Sequence, residues 1–478
     1  MKHVTTLLLA LLLVVSSTIN ASREIELPVL GDTSSGTVSP RQEQELGREL
    51  LRLYRSQVPT SSDYQIIQYL EELLARLVPH SDLSNRELEL VLVRSSTMNA
   101  FAAPGGIIGV NTGLLNYAEN EHQLASVLSH ELAHLSQRHY ARRVQQQQNM
   151  SIPMYAALLG SLILAATSGS DAGIAGIMST QAAALDAQLR FSRQFEQEAD
   201  RLGMQIMARA GMDPRAASEM FEQMMRAGRY SQRPPEFLLT HPITERRIAD
   251  TRSRTLNMPR KEYDNNLEYH LMRARTRIAH QTPEKAVQRF ESELEAEVAP
   301  LAASRYGLAL AQMEAGQFGR AEQTLAPLLE EDPERMTYQL LAAEIDTERE
   351  RHDEALSRLR TLMDNNPDQY ALTMRYALAL MKAGQFEQSA SILRSYSRQR
   401  PTDPQVWYWL AEVSGLAGDI QGVHEARAEY FIQVGAYSQA LQQLKNALKR
   451  ADDSTHTRIL LRQRIKEVEE MQRTAASL

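Results

Sequence analysis

The stretch His130-Glu131-Leu132-Ala133-His134 decides how this sequence is interpreted, because it places two imidazoles four residues apart with a carboxylate next to the first. On a helix, residues at this spacing lie one turn apart on the same face. Both histidines can then bind a single tetrahedral Zn²⁺ at about 2.0–2.1 Å. Zinc lowers the pKa of its water to about 7, so Glu131 can take the water proton as a general base. The stretch therefore predicts a zinc hydrolase site.

The residues around this stretch predict the helix that it requires. Between Asn120 and Tyr140 neither Pro nor Gly occurs, and apolar residues recur at steps of three and four: Leu124, Val127, Leu128, Leu132 and Leu135. The pattern predicts a helix from Asn120 to Tyr140 that packs one face into a core. The alternative is an amphipathic helix with two incidental histidines, so a third metal ligand is needed to decide.

A second helical segment, Phe195 to Asp200, supplies a candidate for that ligand. Glu196 and Asp200 share one face of this helix. We predict that Glu196 binds the metal, which gives two His and one Glu with an open fourth position, as in catalytic zinc sites. Asp200 is expected to orient a ligand histidine by accepting its other N–H, whereas Glu198 is expected to point elsewhere. A solvated acidic helix face is the alternative for this segment.

Residues Asn99 to Val110 predict two short strands around Pro104-Gly105-Gly106, preceded by an alternating strand from Glu87 to Val93. This hairpin would present an edge strand. Peptide substrates of proteases commonly pair with such an edge through their main chain. The predicted substrate-binding residues are therefore those at the start of the hairpin, with an ordinary structural hairpin as the alternative: Asn99, Ala100, Phe101 and Ala102.

Together these motifs resemble the gluzincin metallopeptidases that include the CaaX-prenyl endopeptidases and a mitochondrial inner-membrane quality-control protease. The resemblance spans residues 40–255 and includes His241-Pro242 with Arg247 six residues after the histidine. It implies that His241 and Arg247 line the active site, where such a pair can stabilise the charge of a tetrahedral intermediate. A second hypothesis is that His241 ligates zinc in a resting state and swings away for catalysis. The alternative for a lone His-Pro is a turn before a surface helix.

Length and composition limit the remaining possibilities. The chain has 478 residues, no cysteine and a formal net charge of −7. This length predicts at least two domains, and stability cannot come from disulfides. Nucleic acid is not an expected partner, because the chain is acidic and has no basic stripe with interleaved aromatic residues.

The first residues predict export. Lys2 and His3 precede an apolar run from Leu7 to Val15 and a small, polar segment that ends near Ala21. This is the pattern of a signal peptide, residues 1–21, cleaved near Ala21. The apolar run is shorter than the roughly 20 residues of a membrane span. An uncleaved anchor is the alternative.

Two apolar segments, Ile152 to Ala166 and Gly173 to Ala187, lie between the two predicted metal-binding helices. Each is shorter than the roughly 20 residues that a spanning helix needs. We expect a hairpin that packs against the body or plugs the cleft. Contact with a membrane surface and true spanning are the alternatives.

The C-terminal half repeats with a period of 34 residues, at which Pro333, Pro367 and Pro401 recur. Ala315-Gly316-Gln317-Phe318 also recurs two periods later, at residues 383–386. This pattern resembles tetratricopeptide repeats, which are stacked helical pairs. We expect about four units from near Asn265, although the middle unit lacks the glycine. Their concave groove would recruit other proteins, and a rigid lid over the active site is the alternative.

The predicted fold is therefore mainly α: an α+β zincin-type metallopeptidase domain with a small β-sheet at residues 22–264, then an all-α repeat solenoid at 265–478. This order resembles periplasmic peptidases of Gram-negative bacteria that take part in outer-membrane β-barrel assembly. The resemblance implies a periplasmic location, a chaperone-like role and degradation of misassembled barrel proteins. It also implies outer-membrane β-barrel proteins as clients, and the barrel-assembly machinery as a partner of the repeats. The alternatives are a non-proteolytic assembly chaperone or scaffold, and a general periplasmic peptidase whose repeats are oligomerisation contacts.

Overall fold

The computed structural model describes residues 38–146, 193–230, 236–256, 263, 265–297, 300–451 and 455–476. The predicted signal peptide and the apolar segments at 152–187 lie outside these residues. The described chain is mainly helical with one small sheet, followed by paired helices, which confirms the predicted fold class. In this described part, no helix is both long enough and apolar enough to cross a membrane.

Two helices precede the sheet: α1, Pro40–Gln57, and α2, Tyr64–Leu77. Ser39 caps α1 in a reciprocal capping box with Gln42, and the Asp63 side chain accepts the first free N–H groups of α2. Helix α2 buries Leu70, Leu73 and Leu77 completely in the main hydrophobic core.

The sheet contains β1, Glu89–Val93; β2, Ala100–Ala103; and β3, Ile107–Asn111. Strand β3 is central, parallel to β1 and antiparallel to β2. The β2–β3 hairpin confirms the prediction around Pro104-Gly105-Gly106, and both glycines take the positive φ values that this tight turn requires. Strand β1 begins two residues later than predicted, at Glu89.

Seven helices complete the peptidase part of the described chain: α3, Thr112–Tyr117; α4, Glu121–Ser136; α5, His139–Gln146; α6, Arg193–Arg209; α7, Ala216–Tyr230; α8, Glu236–Thr240; and α9, Glu245–Leu256. Helices α4 and α6 pack closely against each other. A Cβ at Gly203 of α6 would lie 3.2 Å from the main-chain nitrogen of His130 in α4. The missing side chain at Gly203 therefore lets the two helices approach.

The prediction of one continuous helix from Asn120 to Tyr140 is wrong at its C-terminal end. Helix α4 stops at Ser136, and the chain turns at Arg138, which has φ 49°. The guanidinium of Arg138 donates to the Val38 carbonyl oxygen at 2.7 Å and contacts Glu43 at 3.1 Å. These contacts with the N-terminal segment stabilise the turn, and a helical pattern in the sequence cannot reveal them.

The repeats form six helical pairs among the described residues: α10, Leu267–Ile278, with α11, Pro283–Ala296; α12, Leu301–Glu314, with α13, Phe318–Glu331; α14, Met336–Glu348, with α15, His352–Asn365; α16, Tyr370–Lys382, with α17, Phe386–Gln399; α18, Pro404–Leu416, with α19, Ile420–Gln433; and α20, Tyr437–Arg450, with α21, Thr455–Ala476. The expected number was about four. The count was too low, and the first and last pairs have no glycine at their internal turns.

The period of 34 residues corresponds to one backbone conformation. Gly316, Gly384 and Gly418 have φ between 72° and 78° at the turn inside their pairs. The unit without glycine keeps this conformation at Glu350, with φ 61°. The turn is therefore preserved even where the residue type that favours it is absent.

Helix α2 lies against the first helices of several repeat pairs. The Tyr64 hydroxyl accepts from Trp409 Nε1 of α18 at 2.7 Å, and Glu71 accepts two bonds from Arg400 at 2.6 and 3.0 Å. The main hydrophobic core also continues from α2 into α10, α12 and α14. Part of the surface of the array is therefore covered by the chain's own helix.

Candidate active site

Four side chains from three parts of the chain converge on one point. His130 and His134 come from α4, Glu196 from α6, and His241 from the segment between α8 and α9. One potential ligand atom from each lies within 4.8 Å of all the others. All four residues are at most 3% exposed. The structure thus brings together the three predicted ligands and the residue predicted as a resting-state fourth.

The distances inside this cluster are short. His130 Nε2 lies 3.0 Å from His134 Nε2, and the two Glu196 oxygens lie 3.4 and 3.5 Å from these nitrogens. His241 approaches with Nδ1, at 3.1 Å from Glu196 Oε1 and 3.3 Å from His130 Nε2. Nitrogen and carboxylate oxygen atoms in this set are the donors that zinc prefers.

The fold holds His241 in this position through α8. Its main-chain N–H donates to the Phe237 carbonyl oxygen at 2.8 Å, which continues the last turn of α8. The imidazole also stacks on the Phe237 ring, with centroids 4.6 Å apart and an interplanar angle of 23°. Phe237 is itself 1% exposed, so the stacking partner is fixed in the core.

Glu131 lies beside the cluster as a buried carboxyl group. It is 1% exposed, and neither of its oxygens forms a hydrogen bond with another side chain. His241 Nε2 is 3.5 Å from Glu131 Oε1. Burial raises the pKa of Glu131, with opposing contributions from His241 and His130. A buried carboxyl without a side-chain partner is costly in a static core, and it fits a site that holds a cation and water.

The charges around Glu196 favour its ionised form. Burial raises its pKa, but the neighbouring His241 and Arg247 outweigh this and hold the pKa well below its ordinary value. Burial lowers the pKa of His130, yet its hydrogen bonds to Asp200 and Glu196 raise that pKa to about 9. The site therefore offers an ionised carboxylate, and a proton on His130 competes with a metal.

Asp200 and Arg247 contact each other and the ligand residues His130 and Glu196. Asp200 Oδ1 lies 3.0 Å from His130 Nδ1, on the ring edge that faces away from the cluster. Arg247 donates to both Asp200 oxygens at 2.7 and 2.6 Å, and its Nη1 lies 2.9 Å from Glu196 Oε2. The same Nη1 also donates to the Pro242 carbonyl oxygen at 2.9 Å. The guanidinium is thus engaged with residues that surround the ligands.

The sequence analysis missed His139 and gave Glu198 no role in the site. His139 is completely buried, and its Nδ1 lies 2.8 Å from His134 Nδ1. Its Nε2 lies 3.2 Å from Glu198 Oε2. Glu198 points away from the ligand atoms, as expected, but it reaches His134 indirectly through His139. A third histidine within ten residues of His130 was the available signal.

Strand β2 lies next to Glu131 at the edge of the sheet. Helix α4 packs against β2, and the main-chain N–H of Ala102 is one of the groups that lower the Glu131 pKa. In the described part of the chain, β2 pairs only with β3. Asn99 and Ala100 are buried, and Phe101 packs against Tyr54 with ring centroids 5.4 Å apart. Of the four predicted substrate-binding residues, Ala102 thus lies next to Glu131.

Comparisons with known proteins agree with this geometry. The sequence profile of peptidase family M48 matches residues 66–255, and tetratricopeptide repeat profiles match residues 306–369 and 347–413. The chain is 34% identical to the β-barrel assembly-enhancing protease of Escherichia coli K12 over 88% of this chain and 86% of that protein. It is 30% identical to the mitochondrial metalloendopeptidase OMA1 of Schizosaccharomyces pombe, over 44% of this chain and 58% of that protein.

One solved structure, a tetratricopeptide repeat protein from Parabacteroides merdae, aligns with 58% of this chain and 98% of its own at 14% identity. Its TM-score of 0.28 is too low to support any argument. The sequence relatives establish the family, because the identity with the Escherichia coli protein extends over most of both chains and includes the peptidase and repeat parts. The chain is a metallopeptidase of family M48 with C-terminal tetratricopeptide repeats, and it belongs to the family of the β-barrel assembly-enhancing proteases.

Proposed function

We propose that this chain is a zinc-dependent endopeptidase in which His130, His134 and Glu196 hold the metal and Glu131 is the general base. The observation that carries this proposal is the buried group of four ligand atoms within 4.8 Å, directly beside the buried Glu131 carboxyl. Two imidazoles and one carboxylate, with a fourth position available for exchange, suit catalytic zinc better than structural zinc.

The metal, when bound, would supply Lewis acidity and lower the pKa of a water molecule. Glu131 would accept a proton from that water, and its raised pKa suits this task, because a general base works best when its pKa approaches the working pH. Its burial also keeps bulk solvent away from the transferred proton.

We propose different roles for His241 and Arg247. His241 has Nδ1 among the ligand atoms and Nε2 facing Glu131, which supports either a resting-state ligand or a donor to the developing oxyanion. Arg247 is engaged with Asp200 and Glu196, which supports a positioning role rather than direct contact with the substrate. Asp200 would fix the tautomer of His130.

We propose that the substrate binds as an extended strand along the free edge of β2, at Asn99, Ala100, Phe101 and Ala102. Main-chain pairing at a sheet edge holds a peptide in register without requiring a particular sequence. The position of Ala102 next to Glu131 supports this arrangement, because it would place the paired peptide beside the general base.

At the cellular level, we propose an exported periplasmic protein that assists the assembly of outer-membrane β-barrel proteins and degrades misassembled ones. The names of the relatives support this role, and residues 1–21 have the pattern of a signal peptide. The proposed domains are 22–264 and 265–478. The repeats would bind the barrel-assembly machinery through surfaces that α2 leaves accessible, since helical repeats commonly bind proteins.

The test is cleavage of an unfolded outer-membrane barrel protein by the purified full chain. Glu131→Gln should lower the cleavage rate about 10²- to 10⁴-fold, the usual contribution of a general base. Glu119→Gln is the matched control, because Glu119 is exposed and lies just before α4. Unchanged cleavage by the Glu131 variant would contradict the proposal.

The same experiment distinguishes the alternative functions. A chaperone without proteolysis would leave the barrel protein intact with the unsubstituted chain, while its assembly into membranes still improved. A general peptidase would cleave unfolded soluble proteins as fast as barrel proteins. The proposed function predicts Glu131-dependent cleavage with a preference for unassembled barrel proteins.

A further inference from the structure

Both ring nitrogens of the buried His139 have polar partners, which packing alone does not require. His139 follows the left-handed turn at Arg138, which directs its ring back toward His134. The ring stacks on Phe195 with centroids 4.4 Å apart and an interplanar angle of 13°. Its two nitrogens face two different partners, His134 Nδ1 at 2.8 Å and Glu198 Oε2 at 3.2 Å.

These contacts determine where the protons lie. Glu198 forms an ion pair with Arg142, whose Nη1 donates to Glu198 Oε2 at 3.0 Å, and this pairing favours the ionised carboxylate. An ionised carboxylate only accepts, so Nε2 of His139 must carry a hydrogen. In a neutral imidazole, Nδ1 is then an acceptor. The hydrogen between the two rings must therefore belong to His134 Nδ1.

This assignment has a direct consequence for the metal site. A neutral His134 with its hydrogen on Nδ1 has a lone pair on Nε2, the atom that lies 3.0 Å from His130 Nε2 among the ligand atoms. The opposite tautomer would place a hydrogen on Nε2 and block metal binding. Because His139 is completely buried and Arg142 already balances the charge of Glu198, the His139 ring is neutral.

We propose that His139, anchored by Glu198, is a positioning residue that fixes His134 in its metal-binding tautomer. The inference rests on the proposed function, because it takes His134 as a metal ligand. The two ligand histidines of α4 are then oriented in different ways. Asp200 accepts a hydrogen bond directly from His130, whereas His139 lies between Glu198 and His134 and contacts both. Such outer partners orient metal ligands and raise their basicity.

The test compares metal affinities of full-length variants by competition with a chromophoric chelator. His139→Phe keeps a ring against Phe195 but removes the acceptor, and it should weaken zinc binding about 10- to 100-fold. His139→Asn places an acceptor near the position of Nδ1 and should recover much of this loss. Equal weakening by Asn and Phe, or unchanged affinity of the Phe variant, would overturn the inference.

A matched control separates positioning from general loss of stability. His270 is also a buried histidine with one side-chain hydrogen bond, to Asn265 Oδ1 at 2.7 Å, and it lies in α10 outside the cluster. His270→Phe should leave the zinc affinity unchanged. A loss equal to that of His139→Phe would overturn the inference, because it would show a nonspecific effect.

A second variant and a spectroscopic readout cover the case in which His139→Phe does not fold. Glu198 is partly exposed, so Glu198→Ala should fold, and it should weaken zinc binding less than His139→Phe because the His139 ring remains. The visible bands of the Co²⁺-loaded protein should also change in this variant, and unchanged bands and affinity would overturn the inference. Failure of the unsubstituted chain to bind one equivalent of metal would instead overturn the proposed function itself.

Discussion

The metal-binding cluster and the repeat array bury different kinds of residue. The cluster buries ionisable groups, with His130, Glu131, Glu196 and Arg247 all at most 4% exposed. The array buries mainly apolar and small residues, and ion pairs such as Arg394–Asp419 and Arg427–Glu412 stay near its surface. Charges removed from water are stable only when each has its partners, whereas apolar packing depends on area and volume. Single charge substitutions should therefore have large effects in the cluster and small ones at the exposed ion pairs of the array.

The largest expected difference concerns one arginine in each region. Arg247→Met leaves Asp200 and Glu196 without their shared cation, and breaking such a buried network should cost about 3–5 kcal/mol of the free energy of unfolding. Arg394→Met removes the half-exposed pair with Asp419 and should cost about 1 kcal/mol or less. Urea unfolding of the metal-free proteins measures both. Equal costs would contradict the contrast between the regions.

An effect of intermediate size is expected from pH. Because the pKa of His130 is raised to about 9 in the metal-free site, this residue carries a proton at pH 7 that a metal must displace. Metal affinity should therefore rise as the pH increases toward 9, by about tenfold per unit, and level off above it. Calorimetric titrations in buffers of different ionisation enthalpy would also detect the released proton.

Asp200→Asn provides the control for this pH dependence. Hydrogen bonding to Asp200 is a main cause of the raised His130 pKa, so the variant should reach its affinity plateau at a lower pH. A metal affinity that does not change between pH 7 and 9 in the unsubstituted chain would show that His130 is not protonated in the metal-free site.

The smallest expected effect is in the array. Glu350 occupies the left-handed turn position that glycine takes in the neighbouring units. Glu350→Gly should therefore raise the free energy of unfolding by up to about 1 kcal/mol, and Gly384→Ala should lower it by about 1 kcal/mol. A Cβ at Gly384 meets no atom within 4 Å, so backbone conformation alone is tested. The two substitutions should change the free energy of unfolding, measured with heat or urea, in opposite directions. Changes in the same direction would contradict this account.

The parts of the fold with short-range signals could be predicted from the sequence. The hairpin, the α4 helix and the inner repeats each have a local pattern of apolar residues, glycines or prolines. The first and last pairs have no glycine at their internal turns, and the number of repeats was predicted too low. The contact of α2 with the array also had no local signal, since Glu71 and Arg400 lie far apart in the sequence.

In the active site, too, residues with a local sequence pattern could be predicted, and residues placed by distant contacts could not. The spacing of His130 and His134 and that of Glu196 and Asp200 place each pair on one helix face, so their grouping was predictable. His139 was not, because a continuous helix would rotate it by about 140° from His134. The turn at Arg138 removes that rotation, and it depends on contacts with Val38 and Glu43. The salt bridges of Arg247 depend on tertiary packing in the same way.

The central claim is that one zinc ion is held by His130 and His134 of α4 and Glu196 of α6. X-ray absorption spectroscopy on the purified, zinc-loaded chain, together with its metal content, tests this directly. We predict one zinc per chain with nitrogen and oxygen neighbours at about 2.0–2.2 Å, and loss of this signal in Glu196→Ala. Undiminished zinc with the same neighbours in the Glu196 variant, or no stoichiometric zinc in the unsubstituted chain, would contradict the claim.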